Sequence, residues 1–240
     1  MSFLADDFHC VVPDLPGFGK SSDFAFPATI EAYASWLVGF VGHVVGQREV
    51  VIIGHSFGTI VVSAAIDAGM TGSDVVLINP IAENALTGPR AVATRLAVFY
   101  YRLGQWLPEK LGFALLRARL VVRIMSVTMT KTHNRMLRRW IHYQHDLYFS
   151  DFHSRKAVLQ AFSASVTHDV SEFVPAMTMP VLLIVAENDD ITPLSAQYRL
   201  AESLPQSQLR VIGEVGHLIH YEAAEEAAAS IAQFVSGSAR

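Results

Sequence analysis

Short runs of apolar, mostly β-branched residues alternate with amphipathic stretches along this chain, and this alternation restricts the fold more than any other feature. The runs lie at residues 9–12, 50–53, 75–78, 181–185 and 209–212. Continuous apolar runs of this length are typical of strands in a parallel sheet that helices cover on both faces. The pattern therefore predicts an α/β protein with a mostly parallel, doubly wound sheet.

Apolar residues at helical spacing predict helices over residues 30–44, 57–70 and 222–235. Between residues 79 and 179 no strand pattern is convincing, and residues 96–103, 111–125 and 136–147 have helical spacing instead. Strands that stop and later resume indicate a helical insertion within one α/β domain. We therefore predict a core formed by residues 1–80 and 175–240, and a helical lid at residues 81–174 inserted after the strand at 75–79.

The composition narrows the class of protein. Hydrophobic residues make up 51% of the 240 residues and charged residues 17%, which excludes a disordered chain. The net charge of −4 argues against a strongly basic nucleic-acid-binding protein. Cys10 is the only cysteine, and the N-terminus lacks the pattern of a signal peptide. Because polar residues and glycines interrupt the apolar stretch at 50–66, it does not resemble a membrane span, and we expect a cytoplasmic protein.

Charge is distributed unevenly along the chain. Residues 90–156 contain thirteen basic and three acidic side chains, a net charge of +10, whereas the remainder carries −14. Aromatic residues are interleaved with the arginines of this basic part. Three interpretations stay open: a solvated face, attraction to an anionic membrane surface, or recognition of a substrate carboxylate or phosphate by one or two arginines.

A candidate nucleophile lies in the segment VVIIGHSFG, residues 50–58, which contains the pattern G-x-S-x-G between a predicted strand and a predicted helix. In that context the pattern forms a sharp, strained turn that exposes the serine and requires small neighbours two positions away. Ser56 is therefore a candidate nucleophile. The backbone N–H of Phe57, at the start of the helix, would point toward a developing oxyanion.

A serine nucleophile needs a general base, and the base needs an orienting acid, in the chain order serine, acid, histidine for this turn. The loop after the strand at 181–185 contains Asp189 and Asp190, and the loop after the strand at 209–212 contains His217. Ligands of open α/β sheets bind at the carboxyl ends of the strands. These acids and this histidine are therefore candidate partners of Ser56.

These motifs resemble those of the α/β-hydrolase superfamily, in its serine-nucleophile branch. The matching stretches are VVPDLPGFGKS, GHSFG, ENDDITP and GHLIHYE, and the resemblance extends from residue 8 to residue 235. It implies Ser56 as the nucleophile, His217 as the base and Asp189 as the acid, with the helical lid shaping the substrate pocket.

The resemblance also chooses between neighbouring candidates. Asp189 is favoured over Asp190 because the family usually carries its acid four residues before a proline, here Pro193. His217 is favoured over His220 because the family histidine follows a glycine and precedes a glutamate by five residues. An acid after an earlier strand occurs in some members, but that position here is Asn79.

The sequence departs from the family pattern near its start. In the family, a strand ending in an HG motif precedes the VVPDLPGFG strand, and its loop supplies a second oxyanion N–H. This sequence begins just before VVPDLPGFG, so we expect a truncated chain without the first strands and this loop. Residues 50–53 would then pair with residues 9–12 or form an exposed edge. If the sequence is instead the whole enzyme, we expect a weakened or inactive one, because loss of an oxyanion donor typically costs about 10²–10³ in rate.

The function that the resemblance implies is hydrolysis of a carboxylic ester of a largely apolar small molecule. A carbon–carbon bond hydrolase with the same three residues and a non-catalytic binding protein are the alternatives. Neither a cofactor nor a metal is implied. His142, His145 and Asp146 share a helix face, but no further ligand with metal-site spacing accompanies them. The partners we consider are a small-molecule substrate, an anionic membrane and a second copy of the chain, and we expect no nucleic acid.

Overall fold

The parallel sheet predicted from the apolar runs is present. A computed structural model describes residues 3–46, 48–84, 86 and 91–238. Its sheet has four strands that are all parallel and lie side by side in chain order. The strands are β1 Val51–His55, β2 Asp74–Ile78, β3 Val181–Ala186 and β4 Ser207–Ile212.

Helices connect these strands and follow them. In chain order they are α1 Ile30–Val45, α2 Phe57–Asp67, α3 Ala91–Trp106, α4 Glu109–Leu116, α5 Arg119–Met129, α6 Arg135–Tyr148, α7 Arg155–Thr167, α8 Leu194–Ser203, α9 Ile219–Glu222 and α10 Ala224–Ser238. A 3-10 helix, Val170–Ala176, precedes β3. No helix among the described residues is long and apolar enough to cross a membrane.

The sheet is covered on both faces, so the fold is doubly wound. Along β2, Val75 and Leu77 pack into a core with α1, α2 and α8. Val76 and Ile78 point to the opposite face and pack with α9 and α10. Side chains alternate between the two faces of a strand, so a strand covered by helices on both sides must be apolar throughout. This explains why β2 and β3 are buried along their whole length.

The residues between β2 and β3 form helices, as their spacing predicts. One detail of that prediction is wrong: residues 111–125 do not form one helix. The chain leaves helical geometry at Ala118, whose ψ of 119° is extended, and this residue separates α4 from α5. We call α3–α7 the helical insertion. Its helices α3, α4 and α7 pack together, and α5 and α6 form a hairpin against α9.

The predicted strand at residues 9–12 is absent, which corrects the sequence analysis. This segment pairs with no strand of the described sheet, and Val12 is 68% exposed. The β preference of two valines is weak without a neighbouring strand that completes the hydrogen bonds. As a result β1 is an edge strand of the described sheet. The prediction was that helices cover both faces of this strand, but the face that carries Ile53 is only partly covered, and Ile53 is 42% exposed.

Candidate active site

Ser56 lies in a strained turn between β1 and α2, at the carboxyl edge of the sheet. Its φ of 52° and ψ of −121° are unusual for a residue with a side chain. A Cβ on Gly54 would lie 2.6 Å from the carbonyl oxygen of Gly58, so any larger residue would push α2 away from β1. A Cβ on Gly58 would meet nothing within 4 Å, so only the first of the two glycines is required by space.

The structure brings together the three residues that the resemblance singled out. His217 Nε2 lies 2.8 Å from Ser56 Oγ, and His217 Nδ1 lies 2.7 Å from Asp189 Oδ2. Both His217 and Asp189 are buried, and Ser56 is partly exposed. Each of the three follows the carboxyl end of a strand, β1, β3 or β4, which is why residues so distant in the sequence meet.

The hydrogen bonds of this series define the proton positions. Because a carboxylate only accepts, Nδ1 of His217 donates to Asp189, which leaves Nε2 free to accept from the Ser56 hydroxyl. Asp189 also accepts hydrogen bonds from the backbone N–H groups of Ile191 and Thr192 and from the Thr192 hydroxyl. Burial by itself raises the pKa of Asp189, but the hydrogen bonds and the charge of His217 outweigh burial and hold this pKa below its ordinary value.

Two residues that the sequence analysis did not assign to the site hold the backbone of His217. The His217 carbonyl oxygen lies 2.9 Å from His55 Nε2 and accepts from Asn79 Nδ2 at 2.8 Å. Asn79 is fully buried and also accepts from the N–H of Ala186 at 2.8 Å, so it joins the ends of β2 and β3 to the histidine loop. The signal in the sequence was its position directly after a buried strand.

His55 precedes Ser56, and its ring lies beside those of His217 and His220, with centroid distances of 5.1 and 4.6 Å. Its Nε2 carries the proton, because a carbonyl oxygen can only accept. The pKa of His55 lies well below its ordinary value because burial disfavours the charged ring and His220 and His217 oppose its charge. His55 therefore stays neutral and can keep this hydrogen bond to the backbone of His217.

Glu222 is a third residue whose contacts the sequence did not indicate. Its carboxylate accepts hydrogen bonds from the backbone N–H of Gly216 at 3.1 Å and from those of Lys131 and Thr132. Gly216 directly precedes His217, and residues 131 and 132 join α5 to α6. Burial raises the pKa of Glu222, and the three N–H groups oppose that shift. This side chain thus ties the helical insertion to the histidine loop.

The remaining sequence candidates lie outside the hydrogen-bonded series. Asp190 is on the surface and forms an ion pair with Lys131, and His220 contacts the His55 ring, with 4.6 Å between ring centroids. Phe57 is the first residue of α2, so its N–H has no acceptor within the helix. An N–H in that position is available to an oxyanion formed at Ser56.

Two of the three residues of the insertion that resembled metal ligands have other polar partners. His142 Nδ1 lies 2.6 Å from the Ser126 hydroxyl oxygen, and Asp146 forms an ion pair with Arg123. His145 is buried beside Tyr221. Within the described ranges, no group of three or more His, Cys, Asp or Glu side chains is arranged to hold a metal ion.

Comparison with known proteins agrees with the fold. A sequence model of the alpha/beta hydrolase family matches residues 1–230. The uncharacterized hydrolase YugF of Bacillus subtilis strain 168 is 27% identical over 241 residues, which cover 97% of this chain and 82% of YugF.

Solved structures of two esterases have the same fold. The thermophilic esterase of Thermogutta terrifontis superposes with a TM-score of 0.75 at 23% identity, over 98% of this chain and 82% of the esterase. The esterase EaEST of Exiguobacterium antarcticum superposes with a TM-score of 0.74 at 17% identity, over 93% of this chain and 80% of the esterase.

Proposed function

The chain belongs to the alpha/beta hydrolase family, and from this premise we propose that it is a serine hydrolase that cleaves a carboxylic ester of a largely apolar small molecule. The observation that carries the proposal is the unbroken series of hydrogen bonds from Asp189 through His217 to Ser56. A serine, a base and an orienting acid in this arrangement are the requirements of nucleophilic acyl transfer. The two esterases that share the fold support an ester as the substrate.

In the first half of the proposed reaction, Ser56 Oγ attacks the ester carbonyl carbon while His217 Nε2 takes the hydroxyl proton. The carbonyl oxygen becomes an oxyanion, which the Phe57 N–H stabilises. The imidazolium of His217 is stabilised by Asp189, which stays ionised because its pKa lies below its ordinary value. The tetrahedral intermediate then collapses, the carbon–oxygen bond to the alcohol breaks, and His217 returns the proton to the departing alcohol.

In the second half, water cleaves the acyl-enzyme on Ser56. His217 Nε2 takes a proton from the water as its oxygen attacks the acyl carbon, and the bond to Ser56 Oγ breaks. The same proton then returns to Ser56, and the carboxylic acid leaves. The reaction needs no group beyond the protein and water.

We further propose that residues 81–174 act as the lid of this site. The support is the contact of the insertion with both catalytic loops. Lys131 forms an ion pair with Asp190, the neighbour of Asp189. The backbone N–H of Thr132 donates to Glu222, which also accepts from Gly216, the residue before His217. A lid held at these two points lies beside the reacting groups. The cytoplasmic location stays a prediction from the sequence.

A fluorophosphonate probe tests the proposed nucleophile. We expect covalent labelling of the wild-type protein and none of Ser56→Ala. Ser126→Ala is the matched control, because Ser126 also lies within hydrogen-bond distance of a histidine, His142, but is fully buried inside α5 rather than in a strand-to-helix turn. Labelling should persist in this control. Circular dichroism checks that both variants are folded.

Each other outcome contradicts part of the proposal. A folded wild-type protein that is not labelled would indicate the non-catalytic binding protein instead. Labelling lost in Ser126→Ala and kept in Ser56→Ala would place the nucleophile in the insertion. Labelling at Ser56 without turnover of p-nitrophenyl esters would contradict ester hydrolysis. The carbon–carbon bond hydrolase, which uses the same three residues, would then be the remaining function.

A further inference from the structure

The helical insertion exposes an unusual amount of apolar surface. Of the twenty-one large hydrophobic side chains that are exposed among the described residues, fourteen lie between residues 96 and 149. Exposed apolar residues that cluster, rather than scatter, mark a surface that contacts something other than water. The cluster is most regular on the hairpin formed by α5 and α6.

Helix α5 is apolar on two opposite sides. Val122 and Met129 are buried, with the fully buried Ser126 between them on the same side. The opposite side consists of Leu120, Ile124 and Val127, at the i, i+4 and i+7 spacing of a single helical stripe. Leu120 is 71% exposed. Packing against the protein explains the first side of α5 and leaves the second side without a described partner.

Helix α6 repeats this arrangement. Ile141 and His145 are buried against α5 and α9, whereas an exposed stripe lies on the other side of the helix. The stripe consists of Met136, Trp140, Tyr143 and Leu147, again at i, i+4, i+7 and i+11, and the partly exposed Trp140 also meets Tyr221 edge-on. The Arg123–Asp146 pair and the Ser126–His142 contact join α5 to α6, so both stripes belong to one hairpin.

Basic side chains accompany these stripes. Residues 91–167 contain twelve basic and three acidic residues. Two of the acids are already paired, Glu109 with Arg155 and Asp146 with Arg123. Arg119, Arg135 and Arg139 are exposed and form no ion pair with any residue that the structure describes. The hairpin therefore combines apolar stripes, tryptophan and tyrosine rings and uncompensated positive charge.

We propose that the α5–α6 hairpin docks on an anionic lipid surface, with the stripes of Leu120 and Met136 inserted among the acyl chains and the arginines at the headgroups. Amphipathic helices with lysine or arginine beside aromatic and aliphatic residues bind membranes in this way. A second copy of the chain fits less well, since a symmetric dimer through this face would bring two positively charged surfaces together. Nucleic acid would match the charge but leave the apolar stripes in water.

Co-sedimentation with lipid vesicles tests the proposal. We expect binding to phosphatidylglycerol vesicles that weakens as the salt concentration rises, and little binding to phosphatidylcholine vesicles. Each arginine near an anionic surface is worth about fivefold in affinity. The triple variant Arg119→Gln, Arg135→Gln, Arg139→Gln should therefore bind about a hundredfold more weakly. The pair Leu120→Ser, Ile124→Ser should also lose binding, because it removes the inserted groups of α5.

Matched controls separate this face from general charge and hydrophobicity. Lys20→Gln, Arg48→Gln and Arg210→Gln together change the net charge by the same amount outside the insertion and should leave binding unchanged. Val11→Ser with Val12→Ser removes two exposed valines that lie outside the insertion, and it should also leave vesicle binding unchanged. Circular dichroism confirms that each variant is folded.

Three outcomes would overturn the proposal. The first is equal binding to both kinds of vesicle. The second is binding to phosphatidylglycerol that the arginine variant retains. The third is no binding to either kind of vesicle. Light scattering would then show whether the protein is a dimer, and a dimer that the variant Leu120→Ser, Ile124→Ser dissociates would assign the face to a second copy. None of these results depends on Ser56, so the membrane proposal and the hydrolase proposal can fail independently.

Discussion

At the scale of single residues, two neighbouring aspartates have opposite surroundings. Asp189 is buried, and its hydrogen bonds with described residues include one from His217 and three from Ile191 and Thr192. Asp190, the next residue, reaches the surface and pairs with Lys131. A carboxylate orients an imidazole only through a direct hydrogen bond, so the two side chains should differ sharply in their effect on turnover.

We expect Asp189→Asn to lower kcat for a p-nitrophenyl ester by about 10⁴-fold. The amide can donate to His217 Nδ1 and thereby favour the tautomer whose Nε2 carries a proton, which cannot accept the proton of Ser56. Asp190→Asn is the matched control and should change kcat by less than about threefold, because an exposed ion pair contributes little. Steady-state kinetics on folded variants measures both effects, and a larger loss in Asp190→Asn would assign the acid to the neighbour.

At the scale of elements, the site depends on contacts between segments that are distant in the chain. Glu222 of α9 binds the N–H of Gly216 in the histidine loop and those of Lys131 and Thr132 between α5 and α6. Three backbone donors converge on one carboxylate, and each would lose its acceptor if that side chain were changed. Glu222 therefore couples the insertion to the histidine loop by hydrogen bonds, in addition to the packing of Leu218 against Met129 and Ile141.

Glu222→Gln should lower both stability and kcat. The amide oxygen can replace one carboxylate oxygen, but the NH₂ group then faces either the N–H of Gly216 or the N–H groups of Lys131 and Thr132, so at least one donor is left without an acceptor. Leaving one such buried donor unpaired costs about 1–3 kcal/mol in the free energy of unfolding. Urea unfolding measures this loss. Because Gly216 precedes His217, we expect kcat to fall more than KM rises.

The control for this prediction is Glu225→Gln, an exposed residue at the start of α10. Its free energy of unfolding should stay within about 0.5 kcal/mol of the wild type. Equal stability of Glu222→Gln and the wild type would indicate that the three N–H groups find water or other acceptors. The proposed coupling between insertion and loop would then be wrong.

The elements that the sequence predicted correctly are those whose own residues determine their environment. Strands β2 and β3 are apolar at nearly every position, so only a place inside the sheet can bury them. Residues 9–12 have the same local pattern, but a strand also requires a neighbour, and no local pattern reveals whether one is present. The break between α4 and α5 was missed because Arg117 and Ala118 are both good helix formers.

The candidate site divides in the same way. Ser56, Asp189 and His217 could be proposed from motifs because each has a characteristic place after a strand. Asn79 follows a buried strand and Glu222 belongs to the GHLIHYE stretch, but the motifs did not reveal what these two side chains do, because their roles depend on which backbone groups they meet across the fold. Side chains that hold a loop in place are recognised only when the loop and its supports are seen together.

At the scale of the whole molecule, the ionisable groups decide how stability depends on pH. The lowered pKa of Asp189 contributes stability that is present above its ordinary pKa of 3.8 and lost as the pH falls through the lower folded value. Histidines whose pKa is lowered by folding affect stability at higher pH than Asp189 does, because their ordinary pKa is higher. Burial, together with the charge of His142, lowers the pKa of His145 to about 4. Because the ordinary pKa of His145 is 6.5, its effect on the free energy of unfolding develops as the pH falls from 6.5 toward 4, where Asp189 is still ionised.

The protein should therefore lose stability as the pH falls from 7 to 5. Over this range the unfolded chain binds a proton at His145 and the folded protein does not, so protonation favours unfolding by about 2 kcal/mol. His55 adds to the loss, since its pKa is also lowered by burial and by the neighbouring His220 and His217. Urea unfolding at the two pH values measures the difference.

Replacing His145 tests its share. In His145→Gln the loss of unfolding free energy between pH 7 and pH 5 should shrink by about 2 kcal/mol, whatever the absolute stability of the variant. His145→Phe, which keeps a ring beside Tyr221 and Phe149, should behave alike if the glutamine variant is too unstable to measure. An unchanged loss in both His145 variants would mean that this histidine is protonated in the folded protein, and that the hairpin of α5 and α6 accommodates a buried charge.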